Sequence, residues 1–184
     1  SVLEIAKRCE IDGILTFTDS GVVTAGYVAD QLGLPMPGPY ESIQILQNKG
    51  LFRKFLVEHG FNVPTAKSYF SVEQAWGERD EWQYPVIVKP VDSAGSKGVT
   101  KVDSEDQLLD AIHFALEFSI SGEFIIEAWI EKDGCSSDSD CFSLNGEFQI
   151  LTYSSQRFDS AAPNPYAPAA YSWPYKKREK VENE

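Results

Sequence analysis

The stretch that decides the fold is Y-P-V-I-V-K-P-V-D-S-A-G-S-K-G-V, residues 84–99. Residues 86–88 form a short β-branched run that favours a buried strand, and the strand ends at Lys89 because the following proline cannot continue a central ladder. Residues 92–98 are mostly small, which lets backbone N–H groups approach and surround an anion. A lysine at the end of a strand, just before such a loop, predicts a phosphate-binding site.

This loop differs from the Walker loop, G-x-x-x-x-G-K-[ST], because its first lysine comes before the glycines. An ordinary β-turn with one solvated lysine is the alternative interpretation. The rest of the chain has to decide between the two.

Composition limits the class of ligand. The 184 residues are enough for one domain or two small lobes, and 42% hydrophobic and 12% aromatic residues supply a core. The net charge of −12 argues against nucleic acid or an anionic membrane as partner. A small anionic ligand stays compatible because basic residues cluster locally. These residues are Lys49, Arg53, Lys54, Lys89, Lys97 and Lys101.

The cysteines and histidines argue against a zinc site. Cys9, Cys135 and Cys141 form an odd set without a C-x-x-C pair, which fits a reducing compartment. The two histidines, His59 and His113, lie on predicted helices, where packing or solvation explains them. There is no signal peptide and no apolar run long enough to span a bilayer, so we expect a soluble cytoplasmic protein.

The first forty residues predict half of a wound α/β lobe. A helix over residues 1–11 precedes a strand over residues 14–17, and a second helix begins after Thr18 and ends at Gly33. A proline-rich segment, residues 34–39, follows as a boundary. One parallel strand cannot stand alone, so the chain is either a fragment or has its other strands elsewhere.

The remaining chain alternates short helices and strands. Capping boxes begin helices after Ser71 and Ser104, and the Asn145-Gly146 pair predicts a hairpin turn. A polar connection occupies residues 131–139, and a proline-rich loop occupies residues 159–174. The other predicted elements are helices at 42–47 and 49–59, strands at 67–70, 99–102 and 124–130, and a charged segment at 176–184.

Two charged positions have both an ordinary and a functional explanation. Lys49 begins a helix, where the macrodipole disfavours a cation, and Arg53 lies one turn later on the same side. Glu127 interrupts an apolar strand, which is costly unless the carboxylate is paired. The ordinary explanation is that both side chains face solvent. The functional one is that they face polar groups in a cleft.

Three segments together resemble the ATP-grasp superfamily. They are N-K-G-L-F-R-K-F-L-V-E-H-G-F-N-V-P at residues 48–64, the opening stretch at 84–99, and F-I-I-E-A-W-I at 124–130. The first is similar to the family's D-K-x-x-x-R-x-x-L-x-x-x-G-x-P-x-P segment, the second to its phosphate-lid strand and loop, and the third to its adenine-hinge strand. The resemblance covers roughly residues 14–174, and the three segments are far more specific together than alone.

The resemblance implies an α/β (α+β) ATP-grasp fold. The expected parts are a partial Rossmann-like lobe at residues 1–40, connecting helices at 41–65, a lid subdomain at 66–131, and an incomplete C-terminal subdomain at 132–184. The lid subdomain would combine an antiparallel sheet with helices and bind ATP.

The resemblance also implies roles for individual residues. Lys49 and Lys89 would contact ATP phosphates from opposite sides, and a loop would close over the phosphates through backbone N–H groups. Glu127 and the backbone that follows would contact the adenine edge, although Trp129 is equally consistent with packing outside the cleft. The loop residues are Ser93, Gly95, Ser96 and Gly98, and the hinge residues are Glu127, Ala128, Trp129 and Ile130.

Three further assignments carried by the resemblance are weaker. Asp138 would take the place of the ribose-binding carboxylate, because Cys135 and Ser136 stand where the family usually has a glutamate. Gln156 and Arg157 fall where some biotin-carboxylase-like members place polar groups.

The family's magnesium carboxylates are missing. Such enzymes usually hold Mg²⁺ with a late Glu followed by E-x-N, and the charged stretch after Trp173 contains Glu179 and V-E-N-E at 181–184 but no E-x-N. We therefore expect no metal ligands in this chain and interpret it as a truncated piece of a longer ATP-grasp protein.

The activity implied is ADP-forming ligation of the carbamoyl-phosphate-synthase or amino-acid-ligase kind. A small carboxylate would be activated as an acyl phosphate and then attacked by an amine. The implied cofactors are ATP and Mg²⁺, and a homodimer is compatible with the resemblance. The alternatives are a nucleotide-binding or regulatory module or inactive fragment, and a generic α/β interaction domain.

Overall fold

The computed structural model describes residues 1–36, 38–131, 136–173 and 175. The chain divides into two compact units, Ser1–Trp129 and Ile130–Glu184, which are described separately. Within the described ranges, no helix has both the length and the apolar character needed to cross a bilayer.

Four helices open the first unit. They are α1 (Val2–Cys9), α2 (Asp19–Leu32), α3 (Tyr40–Gln47) and α4 (Lys49–Glu58). The Asn48 side chain accepts a hydrogen bond from the Leu51 N–H, which caps the start of α4. Lys49 is thus the first residue of a capped helix, as the sequence predicted.

The predicted strand over residues 14–17 is wrong. This segment precedes α2 without regular structure, and Leu15 and Phe17 are 72% and 97% exposed. A strand needs a hydrogen-bonded neighbour, and in the described part of the chain no strand pairs with these residues. The expected wound lobe is therefore represented here by helices alone.

The centre of the first unit is an antiparallel four-stranded sheet. Its strands are β1 (Ala66–Tyr69), β2 (Val86–Pro90), β3 (Thr100–Val102) and β4 (Phe124–Ala128), and the spatial order is β1-β4-β2-β3. The register places Ile87 opposite both Glu127 and Lys101. Residues 99–102 thus return antiparallel to β2, as predicted.

One face of this sheet forms the hydrophobic core. Val86, Val88 and Ile126 are fully buried and belong to the same cluster as Leu108 and Ile112 of α6 (Leu108–Glu117). The intervening side chains of β2 and β4 must point the other way, because strand residues alternate between faces. The opposite face therefore carries Ile87, Lys89, Ile125 and Glu127 and is called the cationic face below.

The two predicted capping boxes behave differently. Ser71 caps α5 (Val72–Gly77) by accepting a hydrogen bond from the Gln74 N–H at 3.1 Å. The Ser104 hydroxyl bonds the Asp106 carboxylate instead, and a 3₁₀ turn, Glu105–Gln107, leads into α6.

The second unit contains a three-stranded antiparallel sheet, β5 (Ser137–Leu144), β6 (Glu147–Phe158) and β7 (Pro168–Ser172). Asn145 and Gly146 connect the predicted hairpin and both have positive φ, 54° and 82°, as a two-residue turn requires.

Two loop predictions in this unit are wrong in part. Residues 137–139 extend β5 and pair with residues 153–155 of β6, and residues 168–172 form β7 beside the same strand. Pairing with β6 overrides their turn-rich composition. The charged segment predicted at 176–184 lies outside the described residues.

Candidate functional site

The cationic face contains a buried carboxylate that two cations share. Glu127 is 2% exposed. Lys89 reaches it from the neighbouring strand, with Nζ 2.6 Å from Oε2. Arg53 reaches it from α4, with Nε 2.7 Å from Oε1 and Nη2 3.3 Å from Oε2. Glu127 is buried and paired, so it does not face solvent as the ordinary explanation requires.

The two cations determine the ionisation of Glu127. Burial raises the pKa of its carboxyl, but the hydrogen bond from Arg53 and the charge of Lys89 outweigh burial. The pKa of Glu127 therefore lies below its ordinary value, and the carboxylate is charged at neutral pH. The site holds one buried negative charge between two positive charges.

Lys49 lies at the start of α4, beside the small-residue loop. Its ammonium donates a hydrogen bond to the Ser93 carbonyl at 2.7 Å, and its backbone N–H donates to the Val91 carbonyl at 2.9 Å. Burial and then the nearby Lys89 charge lower the pKa of Lys49, while Asp92 and Glu127 act in the opposite direction. Lys49 and Lys89 thus lie within electrostatic reach of one another.

The loop has the backbone conformation that glycine favours. Gly95, Ser96 and Gly98 have φ values of 68°, 55° and 69°. A Cβ at Gly98 would also lie 3.1 Å from side-chain atoms of Phe118 and Pro90, so glycine is needed there for space as well.

Asp92 anchors the beginning of this loop. Its carboxylate accepts hydrogen bonds from the Ile120 and Ser121 N–H groups, at 3.1 and 2.7 Å, and from the Ser119 hydroxyl at 3.2 Å. Burial raises the pKa of Asp92, but the hydrogen bonds from these donors together lower it by more, so the pKa lies below its ordinary value. Sequence analysis did not single out this anchor, because its partners lie 27 to 29 residues away.

A cavity of about 670 Å³ borders the loop. Asp92, Ser93, Gly95 and Lys97 form one wall, and residues 17–20 at the start of α2 form part of another. Lys49, Lys89 and Glu127 are not among the residues that line this cavity. The cavity and the cationic face are thus formed by different residues.

The hinge residues divide between the two units. The Ala128 N–H donates to the Thr65 carbonyl at 2.8 Å, and the Trp129 N–H donates to the Pro85 carbonyl at 3.1 Å. The Lys101 ammonium lies 5.2 Å from the centre of the Trp129 ring. Ile130 belongs to the second unit and is 64% exposed.

The structure brings several predicted site residues together. Lys49 contacts Ser93, and Lys89 contacts Glu127. The residue that sequence analysis left without a role is Arg53. The sequence placed it on the side of α4 that carries Lys49, but its pairing with Glu127 spans 74 residues.

Comparison with known proteins identifies the family. A family model described as the ATP-grasp domain matches residues 46–184. The described fold agrees with it, since helix α4, the sheet and the small-residue loop all lie within these residues. The chain belongs to the ATP-grasp family.

The relatives are longer than this chain. The ATP-grasp enzyme fsqD of Aspergillus fumigatus is 30% identical over 138 residues, which are 74% of this chain and 23% of that protein. A D-alanine–D-alanine ligase of Natranaerobius thermophilus is 28% identical over 160 residues, 77% of this chain and 42% of the relative. The chain thus spans less than half of each relative.

Solved structures show the same fold. The crystal structure of an L-amino acid ligase from Bacillus licheniformis matches with a TM-score of 0.74 at 21% identity. The match covers 98% of this chain and 41% of that one. The ATP-grasp fold expected from the sequence is therefore confirmed over nearly the whole chain.

The family resemblance also implies magnesium. Among the residues that the structure describes, no group of three His, Cys, Asp or Glu side chains is arranged to hold a metal ion. The described carboxylates of the site, Asp92 and Glu127, already accept hydrogen bonds from the protein. They do not fit a magnesium site.

Proposed function

We propose that this chain binds ATP on the cationic face, as part of an ADP-forming ligase that joins a small carboxylate to an amine. The observation that carries the proposal is the Lys49 ammonium, 2.7 Å from the Ser93 carbonyl of the small-residue loop, with Lys89 near the end of the strand that leads into the same loop. Lys89 is paired with Glu127, whereas the partly buried Lys49 ammonium donates to a neutral carbonyl and would be stabilised further by an anion. A triphosphate supplies that anion.

The residues divide between the phosphates and the base. Lys49 and Lys89 contact the phosphates, and the backbone at Ser93, Gly95, Ser96 and Gly98 covers them. Glu127, Ala128, Trp129 and Ile130 border the adenine. Because the N–H groups of Ala128 and Trp129 already donate within the protein, recognition of adenine by these two residues falls to their carbonyl oxygens.

The chemistry follows from the charge distribution. A carboxylate oxygen attacks the γ-phosphorus, the bond to the β-phosphate bridging oxygen breaks, and ADP leaves. The amine then attacks the carbonyl carbon of the acyl phosphate, a proton is lost from nitrogen, and phosphate leaves. Lys49 and Lys89 stabilise negative charge on the transferring phosphoryl group by position and electrostatics. Magnesium, when bound, would supply additional positive charge.

Two observations, the named relatives and the sequence of the loop, support the proposed substrate class. The D-alanine–D-alanine ligase named above joins amino acids, which supports a carboxylate–amine ligase. The G-S-K-G-V loop supports the narrower carbamoyl-phosphate-synthase-like form. Bicarbonate and amino acids, offered separately with ammonia or an amino acid as the amine, distinguish the two forms.

A titration tests the proposal. Calorimetry with ATP, with and without magnesium, should show binding to the unaltered chain, and Lys89→Ala should weaken it by about tenfold or more. Lys54→Ala is the matched control, because Lys54 is exposed on the same helix as Lys49 and pairs with Glu58 at 3.9 Å. Binding without ADP release, in a protein that includes the remainder of the relatives' length, would favour a regulatory module. No binding at millimolar ATP would refute the proposal.

A further inference from the structure

Lys89 and Arg53 are not equivalent partners of Glu127. Lys89 makes one contact, at 2.6 Å, through a flexible side chain that carries a point charge. Arg53 makes two contacts, one to each carboxylate oxygen, through a planar group. Turning away from Glu127 would therefore break two hydrogen bonds of Arg53 but only one contact of Lys89, so it costs more free energy for Arg53.

An anion that binds at Lys89 changes the balance around Glu127. To contact a phosphate, the Lys89 ammonium must leave Glu127 or share its charge with it. Glu127 has a side chain that is 3% exposed, and a buried carboxylate left without a counter-ion is strongly unfavourable. Lys89 can therefore leave Glu127 without a large loss of stability only when another cation remains paired with that carboxylate.

We propose that Arg53 is that cation. It is a positioning residue that neutralises Glu127 while Lys89 turns to the ligand phosphate. The inference rests on the proposed function, since it concerns the same phosphate site. It adds a division of labour: Lys89 exchanges between two anions, and Arg53 does not.

The attachment of α4 to the sheet explains why Arg53 can stay. The Lys49 N–H binds the Val91 carbonyl at 2.9 Å, which fixes the start of the helix beside the end of β2. A Cβ built on Gly50 would overlap the Ser68 hydroxyl of β1, so the helix lies close against the sheet. Arg53, one turn beyond Gly50, therefore reaches Glu127 with only 27% of its own side chain exposed.

The test compares Arg53→Met with the unaltered chain, using ATP and, as a probe without a base, inorganic tripolyphosphate. Without Arg53, Glu127 retains Lys89, so both ligands should bind about tenfold more weakly or worse. Arg53→Lys should recover part of the loss. Lys54→Ala, which changes a cation on the same helix away from Glu127, should change neither affinity.

The decisive variant combines Arg53→Met with Glu127→Gln. Removing the carboxylate charge removes the need for a resident cation, so tripolyphosphate affinity should return to within about threefold of the unaltered chain. A merely structural role for Arg53 would not produce this recovery. Melting curves identify a variant that fails to fold, and the double variant, in which Lys89 alone loses its ion-pair partner, answers the question when it melts like the unaltered chain.

The outcomes separate this inference from the proposed function. If the unaltered chain binds neither ligand, the proposed function fails and the inference fails with it. If the unaltered chain binds ATP and Arg53→Met binds equally well, only the inference is overturned. Weak binding by the double variant, when it melts like the unaltered chain, would also overturn it.

Discussion

The ammonium of Lys49 donates a hydrogen bond to the carbonyl of Ser93, 2.7 Å away and 44 residues later in the chain. This contact joins the first residue of α4 to the first residues of the small-residue loop. A cation that is partly withdrawn from water is thereby placed beside the loop proposed to bind phosphate, and its charge can be removed by mutation without disturbing the helix cap on Asn48.

Lys49→Met should weaken ATP binding by about tenfold or more without lowering stability by more than about 1 kcal/mol. The modest change in stability follows because burial and Lys89 already lower the pKa of Lys49. A lysine whose pKa is lower in the folded state destabilises the fold most at low pH and least at high pH. The variant should therefore gain stability relative to the unaltered chain as pH falls through the alkaline range, from the ordinary lysine pKa to the lower folded pKa, and the difference should stay constant at more acidic pH. Titration calorimetry and melts at several pH values measure both effects, and Lys54→Met is the control.

Glu127→Ala should destabilise the protein far more than Lys89→Ala. The first change leaves Arg53 and Lys89 close together without a counter-ion, at a cost of about 3 kcal/mol or more. The second leaves the Arg53–Glu127 pair intact and should cost about 1 kcal/mol. Urea unfolding measures the difference, and equal losses would contradict the charge arrangement described above.

Glu78 should make stability fall in acid. Its carboxylate accepts hydrogen bonds from Lys67 at 2.5 Å, Tyr69 at 2.8 Å and Gln74 at 3.2 Å, which lower the pKa of Glu78 to about 2. Because the folded pKa is below the unfolded value, this stabilisation is present above the ordinary glutamate pKa and is lost as pH falls towards 2.

Glu78→Gln should therefore flatten the acid limb of the stability curve, and its effect should be largest near neutral pH. Thermal melts between neutral and acidic pH measure the slope. An unchanged slope in the variant would assign the acid sensitivity to other carboxylates.

Gly98→Ala should be more harmful than Gly95→Ala. The two glycines have nearly the same φ, 69° and 68°, so each alanine carries a similar backbone strain of about 1 kcal/mol. Only at Gly98 would the new methyl group press on Phe118 and Pro90, while the space around Gly95 is open. Unfolding measurements on the pair isolate the packing contribution. Equal effects would show that Phe118 moves aside.

Local patterns predicted the elements whose partners lie nearby in sequence. The α4 helix, the β2 strand with its loop, and the Asn145-Gly146 hairpin depend on an apolar helix face, a β-branched run and a turn that short windows contain. The family resemblance then supplied the long-range arrangement that no short window contains. Together they assigned Lys49 and Lys89 to the phosphates and Glu127 to the adenine edge, and the structure shows in addition that Lys89 pairs with Glu127.

The errors have the opposite origin. Residues 14–17 carry a strand composition without a strand partner in the described chain, and residues 168–172 carry a loop composition but pair with β6. In both segments the presence or absence of a pairing strand therefore determined the secondary structure, against the preference of the local sequence. The role of Arg53 was out of reach for the same reason, because a side chain can be assigned to a helix face from sequence, but its counter-ion on a distant strand cannot.

Gly50 limits which residues can replace it within the segment at residues 48–64. Gly50 has no side chain, so α4 can pack closely against β1 at this point. A larger residue would contact the Ser68 hydroxyl of β1 and push the helix away from the strand. Such a residue would lift the guanidinium of Arg53 from its carboxylate without touching a ligand. A position that offers no side chain to a phosphate would then affect the charge available to bind one.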